Sequence, residues 1–242
     1  MIKPLSYILA AALLIMTATA SGGDTNFQPW SESLFEFIEQ QHGKPGADRM
    51  RKLHQIMLEN VDQPIDVKLK VTNETMNHLP WIADRAKYNK DDYWATPLET
   101  ITTFGGDCED IAIAKFMMLR IMGVPKDHLR LTYAKIIKTG EAHMVLAYID
   151  DPDKPIDKQS KPVLILDNYV DAVKPGTERK DLLAVYLIDA DKKLTLISDD
   201  GKNRSVKSEV DTAKFAKLDK IKQKINENLE VAKQHNEGRP LF

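Results

Sequence analysis

A single cysteine, Cys108, is all the thiol chemistry in this chain of 242 residues. An internal disulfide is therefore excluded, whatever the redox state of the compartment. An excess of either charge is also lacking: 34 Lys and Arg stand against 36 Asp and Glu, a net charge of −2. That balance gives no electrostatic case for a nucleic-acid partner. Neither an internal repeat nor a low-complexity tract interrupts the sequence, which argues against a solenoid or a linker. Long apolar runs are missing except at the start, where Lys3, the stretch Leu5 to Met16 and Ala18-Thr19-Ala20 read as an export leader cleaved after Ala20. That stretch falls short of the roughly 20 residues a membrane span requires. The expectation is an exported chain with a leader at 1–20, a main domain at 21–200 and a Lys-rich helical extension at 201–242.

Helical periodicity comes first along the chain. Helices are expected at Ser31 to Gln41, with Ser31 as N-cap and Leu34, Phe35 and Ile38 as its apolar face, at Ala47 to Asn60, and at Val67 to His78. A polar stretch, "ADRAKYNKDDYWATP", leads into "TPLE", where Thr96, Pro97 and Glu99 have the spacing of a capping box that opens a short helix. That helix should stop at Gly105-Gly106. A long buried helix then starts with Asp107 as N-cap and Asp110 near the reciprocal position, and ends at Gly123-Val124-Pro125.

After Pro125 the pattern alternates. Strands are expected at Leu129 to Lys138, Ala142 to Asp150, Val163 to Tyr169, Leu182 to Asp189 and Leu194 to Ser198, with "KTGEA" as a hairpin turn. From about Ser208 a helix is expected, striped by Leu218, Ile221, Ile225 and Leu229. Helices followed by an antiparallel sheet define an α+β class.

In "TTFGGDCEDIAIAKF" Cys108 falls in the first turn of the long helix, where the helix dipole and free N–H groups favour a thiolate. Gly105 and Gly106 leave room for a substrate backbone beside it. A nucleophilic thiol needs a base, and of six histidines His143 is the one on a strand of the sheet that this helix packs against. Asp167, a carboxylate at the end of an apolar strand, could orient that imidazole, or could simply initiate a turn. Asp107, Glu109 and Asp110 crowd the thiol with negative charge and oppose ionisation. Either they cap the helix, or they bind a hard cation such as Ca²⁺.

The run "WATPLETITTFGGDCEDIAIAKFMMLRIMGVPKDHLRLTY", followed by "HMVLAY" and "LILDNY", resembles the bacterial transglutaminase-like cysteine proteinases, especially their LapG-type periplasmic members. The resemblance implies a papain/transglutaminase-like fold with Cys108 as nucleophile, His143 as general base and acid, and Asp167 orienting His143. It implies Ca²⁺ beside the active site, with the motif carboxylates mapping to Asp107 and Glu109 ahead of Asp110. It further implies a large repeat-containing surface adhesin as substrate, cut near its N-terminus to disperse biofilm, and an inner-membrane cyclic-di-GMP receptor as inhibitor. Trp94 and the glycine pair Gly105-Gly106 are the groove candidates, a core position being the other reading of Trp94. Acyl transfer to an amine and a non-catalytic binding module remain the alternatives.

Overall fold

The computed structural model describes residues 27, 29–189, 193–199, 204–210 and 216–241. The expected leader, 1–20, lies outside them. Helix α1 (Glu32–Asn60) is capped by Ser31, whose side chain accepts the Leu34 N–H. Gly43, at φ 73° and ψ 165°, breaks it just ahead of Pro45, so the two expected helices are halves of one kinked element. Helix α2 (Ile65–Asn77) follows close to its expected bounds. The polar stretch contains a short helix, α3 (Asp84–Tyr88).

Helix α4 (Pro97–Thr102) has both arms of its capping box: Glu99 N–H reaches Thr96 Oγ1 at 3.2 Å, and Thr96 N–H reaches Glu99 Oε2 at 2.7 Å. Helix α5 (Cys108–Ile121) is the central pillar, with Ile111, Ala114, Met118 and Leu119 at most 1% exposed. It packs on the sheet through β2 and against α2.

Among the described residues, seven strands form one antiparallel sheet: β1 (Leu129–Ile136), β2 (Ala142–Tyr148), β3 (Leu164–Asp167), β4 (Val170–Pro175), β5 (Leu182–Ile188), β6 (Lys193–Asp199) and β7 (Arg204–Val210). Their spatial order is β4-β3-β2-β1-β5-β6-β7, so β1 sits centrally and the chain crosses from one edge to its other side at β5. Two expectations need correction. The strand expected to run from Val163 to Tyr169 stops at Asp167, turns and returns as β4, with Asp167 opposite Val170. An Asx-type bond, Tyr169 N–H to Asp167 Oδ1 at 3.0 Å, competes with extension and makes the turn. The helix expected from about Ser208 starts at Ala216 instead, as α6 (Ala216–His235), because residues 204–210 pair with β6 along its whole length.

Leu218 and Ile221 of α6 are buried against Ile113 and Ile188. The end of α6 is stitched to the start of α1: Ser31 N–H donates to the fully buried Asn236 at 2.6 Å, and Ser31 and Ser33 hydroxyls donate to His235 O.

Candidate active site and acidic cluster

Cys108 opens α5, partly exposed, with Asp107 in the N-cap position. Asp107 does not cap: its side chain makes no such bond, and its Oδ1 is buried without a partner. Asp110 comes nearer its expected reciprocal place: one of its oxygens accepts the Ala95 N–H at 2.7 Å, and the Asp107 backbone N–H also acts on its carboxyl. Capping does not use up these two carboxylates, and each keeps a buried oxygen without a hydrogen-bond partner. The thiol donates to Glu109 Oε2 at 3.2 Å. Burial first, then the Glu109 charge, push the Cys108 pKa well up, against the opposing pull of the Met144 backbone N–H.

That N–H belongs to the residue after His143, so packing of α5 on β2 brings the thiol beside the histidine strand. His143 is 1% exposed. Its Nε2 lies 2.8 Å from Asp167 Oδ1, while its Nδ1 is buried with no partner. Asp167 ends β3 and is equally buried. Burial alone would raise its pKa, but the His143 bond, the Tyr169 N–H and Arg179 outweigh that and hold it at about 2. The Asx turn also lays Tyr169 flat on His143, with ring centroids 4.6 Å apart.

Gly105 and Gly106 are needed for a different reason than substrate access. A Cβ on Gly105, whose φ is 126°, would sit 2.5 Å from Pro80 O, and one on Gly106 would sit 2.5 Å from Asp110 Oδ2. The space is filled by the chain itself. Gly106 exchanges backbone bonds with Pro80 and Ile82, which sets Trp81 beside it, 52% exposed. Trp94 is half-buried against Ile113, Ile188, Leu218 and Ile221, within the cluster under α6.

Folding adds two carboxylates from the polar stretch to those of the motif. Asp84, Asp107 and Asp110 have ligand atoms within 4.8 Å of one another, and so do Asp84, Asp92 and Glu109. Asp84 Oδ2 accepts the Tyr93 N–H, leaving Oδ1 buried and unpartnered. Burial first, then the neighbouring Glu109, raise Asp107 to about 9. Burial raises Asp110 to about 7 and also lifts Asp84. Three orphaned oxygens in one buried acidic pocket fit a hard, oxygen-seeking divalent cation. The sequence signalled Asp107 and Glu109 through the motif, but nothing in the spacing of Asp84 or Asp92 marked them.

A cysteine at a helix start, beside a strand whose histidine is bonded to an aspartate, fits the layout of a cysteine hydrolase of papain/transglutaminase type. The chain belongs to the bacterial transglutaminase-like cysteine proteinase family, whose model matches residues 35–180. Among solved structures it is similar to Legionella pneumophila LapG, at 28% identity and a TM-score of 0.63 over 82% of this chain and 99% of that one. The EGTA-treated form of the same protein gives 28% identity and a TM-score of 0.64 over 82% and 100%. Its calcium-bound form gives 31% identity and 0.60 over 77% and 97%. No match was found among curated proteins. Among the described residues, no helix is long and apolar enough to cross a membrane.

Proposed function

We propose that this chain is a periplasmic, calcium-dependent cysteine endopeptidase that cuts the N-terminal region of a large surface adhesin, releasing it and promoting biofilm dispersal. An inner-membrane cyclic-di-GMP receptor restrains it. The observation that carries the catalytic part is the buried His143–Asp167 pair, whose free Nδ1 lies on the strand that meets the Cys108 thiol. The substrate and the receptor rest on the resemblance of the Cys108, His143 and Asp167 motifs to LapG-type proteases, and the calcium-bound LapG structure supports the metal.

His143 Nδ1 accepts the thiol proton, and the Cys108 thiolate attacks the scissile carbonyl carbon. Backbone N–H groups at the start of α5, Cys108's own among them, face the oxyanion. The imidazolium returns its proton to the leaving amine, leaving an acyl-thioenzyme. His143 then deprotonates a water that attacks the thioester, and the thiolate leaves. Asp167 fixes the ring throughout through its bond to Nε2. Asp84, Asp107, Asp110, Asp92 and Glu109 would hold a calcium ion, whose positive charge would offset the acidic crowding of the thiol.

Purified wild type and Cys108→Ala, incubated with an adhesin N-terminal fragment in calcium or EGTA, test the reading. Cleavage by wild type in calcium alone is expected. Cleavage by Cys108→Ala would overturn the nucleophile, cleavage in EGTA the metal requirement, and incorporation of a labelled amine would indicate acyl transfer instead.

A further inference from the structure

We infer that Arg179 is a positioning residue of this site, acting through Asp167; the inference rests on the catalytic reading above. Asp167 Oδ1 is occupied by His143 Nε2 and the Tyr169 N–H, so the orientation of the carboxylate depends on what holds Oδ2. That partner is Arg179 Nη2, at 2.6 Å. Arg179 is 6% exposed and is itself held in place: its Nε donates to Asp181 Oδ1 at 2.9 Å and its Nη2 to Asp181 Oδ2 at 2.7 Å. A planar guanidinium clamped to a neighbour two residues away gives up little further freedom in reaching Asp167.

The segment that carries it is anchored on both sides. Gly176 N–H bonds Val163 O at 2.8 Å just before β3, and Ile137 N–H bonds Asp181 O at 2.9 Å just after β1. His143 on β2, Asp167 on β3 and Arg179 before β5 thus form one buried chain of charge-assisted bonds spanning three segments of the sheet.

Removing the guanidinium would strand Oδ2 in a buried site, where an unpaired carboxylate oxygen is costly. Another cation is available to it. Lys115 of α5, 1% exposed and bonded to Asn73 Oδ1 at 2.7 Å, also acts electrostatically on Asp167 and on Asp171 of β4. The remaining charged groups near the histidine, Glu141 and Asp107, act on Tyr169 stacked above it and offer Asp167 no hydrogen bond donor.

The test uses the one cysteine of the chain as its own reporter, so that no substrate need be known. The rate of Cys108 alkylation by iodoacetamide, in calcium-containing buffer, is measured for wild type, Asp167→Asn, Arg179→Met, Arg179→Lys and the Asp167→Asn variants combined with each, with near-UV circular dichroism checking the fold. Arg179→Met is expected to slow alkylation about 10- to 100-fold, the scale of a misplaced catalytic group. Arg179→Lys should fall between it and wild type.

Since Arg179 acts through Asp167, neither double variant should be slower than Asp167→Asn alone. Losses that multiply in the double variants, or a folded Arg179→Met as fast as wild type, overturn the inference. Should Arg179→Met fail to fold, the cycle with Arg179→Lys decides in the same way. Failure of the catalytic reading looks different: wild type itself would react no faster than the urea-unfolded chain.

Discussion

Tyr169 lies on His143 with the two rings 3° from parallel, and the tyrosine is 56% exposed while the histidine beneath it is 1% exposed. The turn after β3 therefore does two things with adjacent residues: Asp167 bonds the edge of the imidazole, and Tyr169 roofs its face. Shielding from water strengthens the His143–Asp167 bond, and a ring face stabilises the imidazolium that forms when the thiol ionises. Tyr169→Phe should keep near wild-type cleavage and alkylation rates, because the ring remains. Tyr169→Ala should lower kcat about tenfold or more, with a weaker effect on KM. Steady-state kinetics on both variants checks this, and equal losses in the two would contradict the shielding role.

The acidic cluster predicts an unusual response to pH. Asp107 and Asp110 titrate at about 9 and about 7 in the folded chain, well above an ordinary carboxylate. The folded state then binds more protons than the unfolded state across that interval, so stability of the metal-free protein falls as pH rises from about 4 to 9. Asp167, held at about 2, contributes in the opposite sense: its stabilisation is complete above about pH 4 and is lost only as pH falls toward 2. Thermal melts in EGTA should show Tm declining from pH 5 to pH 8, and added calcium should raise Tm most at the upper end, where no protons need be displaced. Asp84→Asn should weaken calcium binding by calorimetry, since Asp84 takes part in both ligand groupings. A metal-free Tm that climbs over the same range would contradict the assigned cluster.

What the sequence made legible was local. The capping box of Thr96 and Glu99, the helix beginning at Cys108 and the strand bearing His143 each follow from residues a few positions apart, and each is present. Asp84, Asp92, Trp81 and Arg179 were not legible, because they reach the site only by tertiary folding from segments without hydrophobic period. The Asp167 turn fell between these cases: an Asp-Asn pair at the end of an apolar run signals a turn, but "LILDNYV" also reads as one continuous strand. Residues 208–210 misled because their polar and charged content runs on into the lysine-rich segment that follows, while pairing with β6 decides their conformation.

The stitch between the start of α1 and the end of α6 predicts a stability effect far from the chemistry. Asn236 is fully buried, accepts the Ser31 N–H at 2.6 Å and donates to Arg239 O at 3.1 Å. Asn236→Ala would leave the Ser31 N–H unsatisfied at the start of α1, a loss of about 1–3 kcal/mol. Urea titration should show a lower midpoint with an unchanged slope. An unaltered midpoint would mean that α6 docks without this bond.

Gly106 links fold and site most directly. A methyl group there would lie 2.5 Å from Asp110 Oδ2 and 2.7 Å from Asp110 Cβ, and Asp110 is fully buried on α5 with its other oxygen bound to the Ala95 N–H. Neither side can yield cheaply, so Gly106→Ala should cost about 1–3 kcal/mol through overpacking. Any relief must come from Asp110 swinging out of the cluster, which takes one of the three orphaned oxygens with it. Calcium affinity should therefore fall together with stability, although position 106 carries no ligand atom in the cluster. Calorimetric titration of Gly106→Ala alongside its urea curve checks this. A variant that loses stability but binds calcium as wild type does would show that Asp110 is dispensable to the metal.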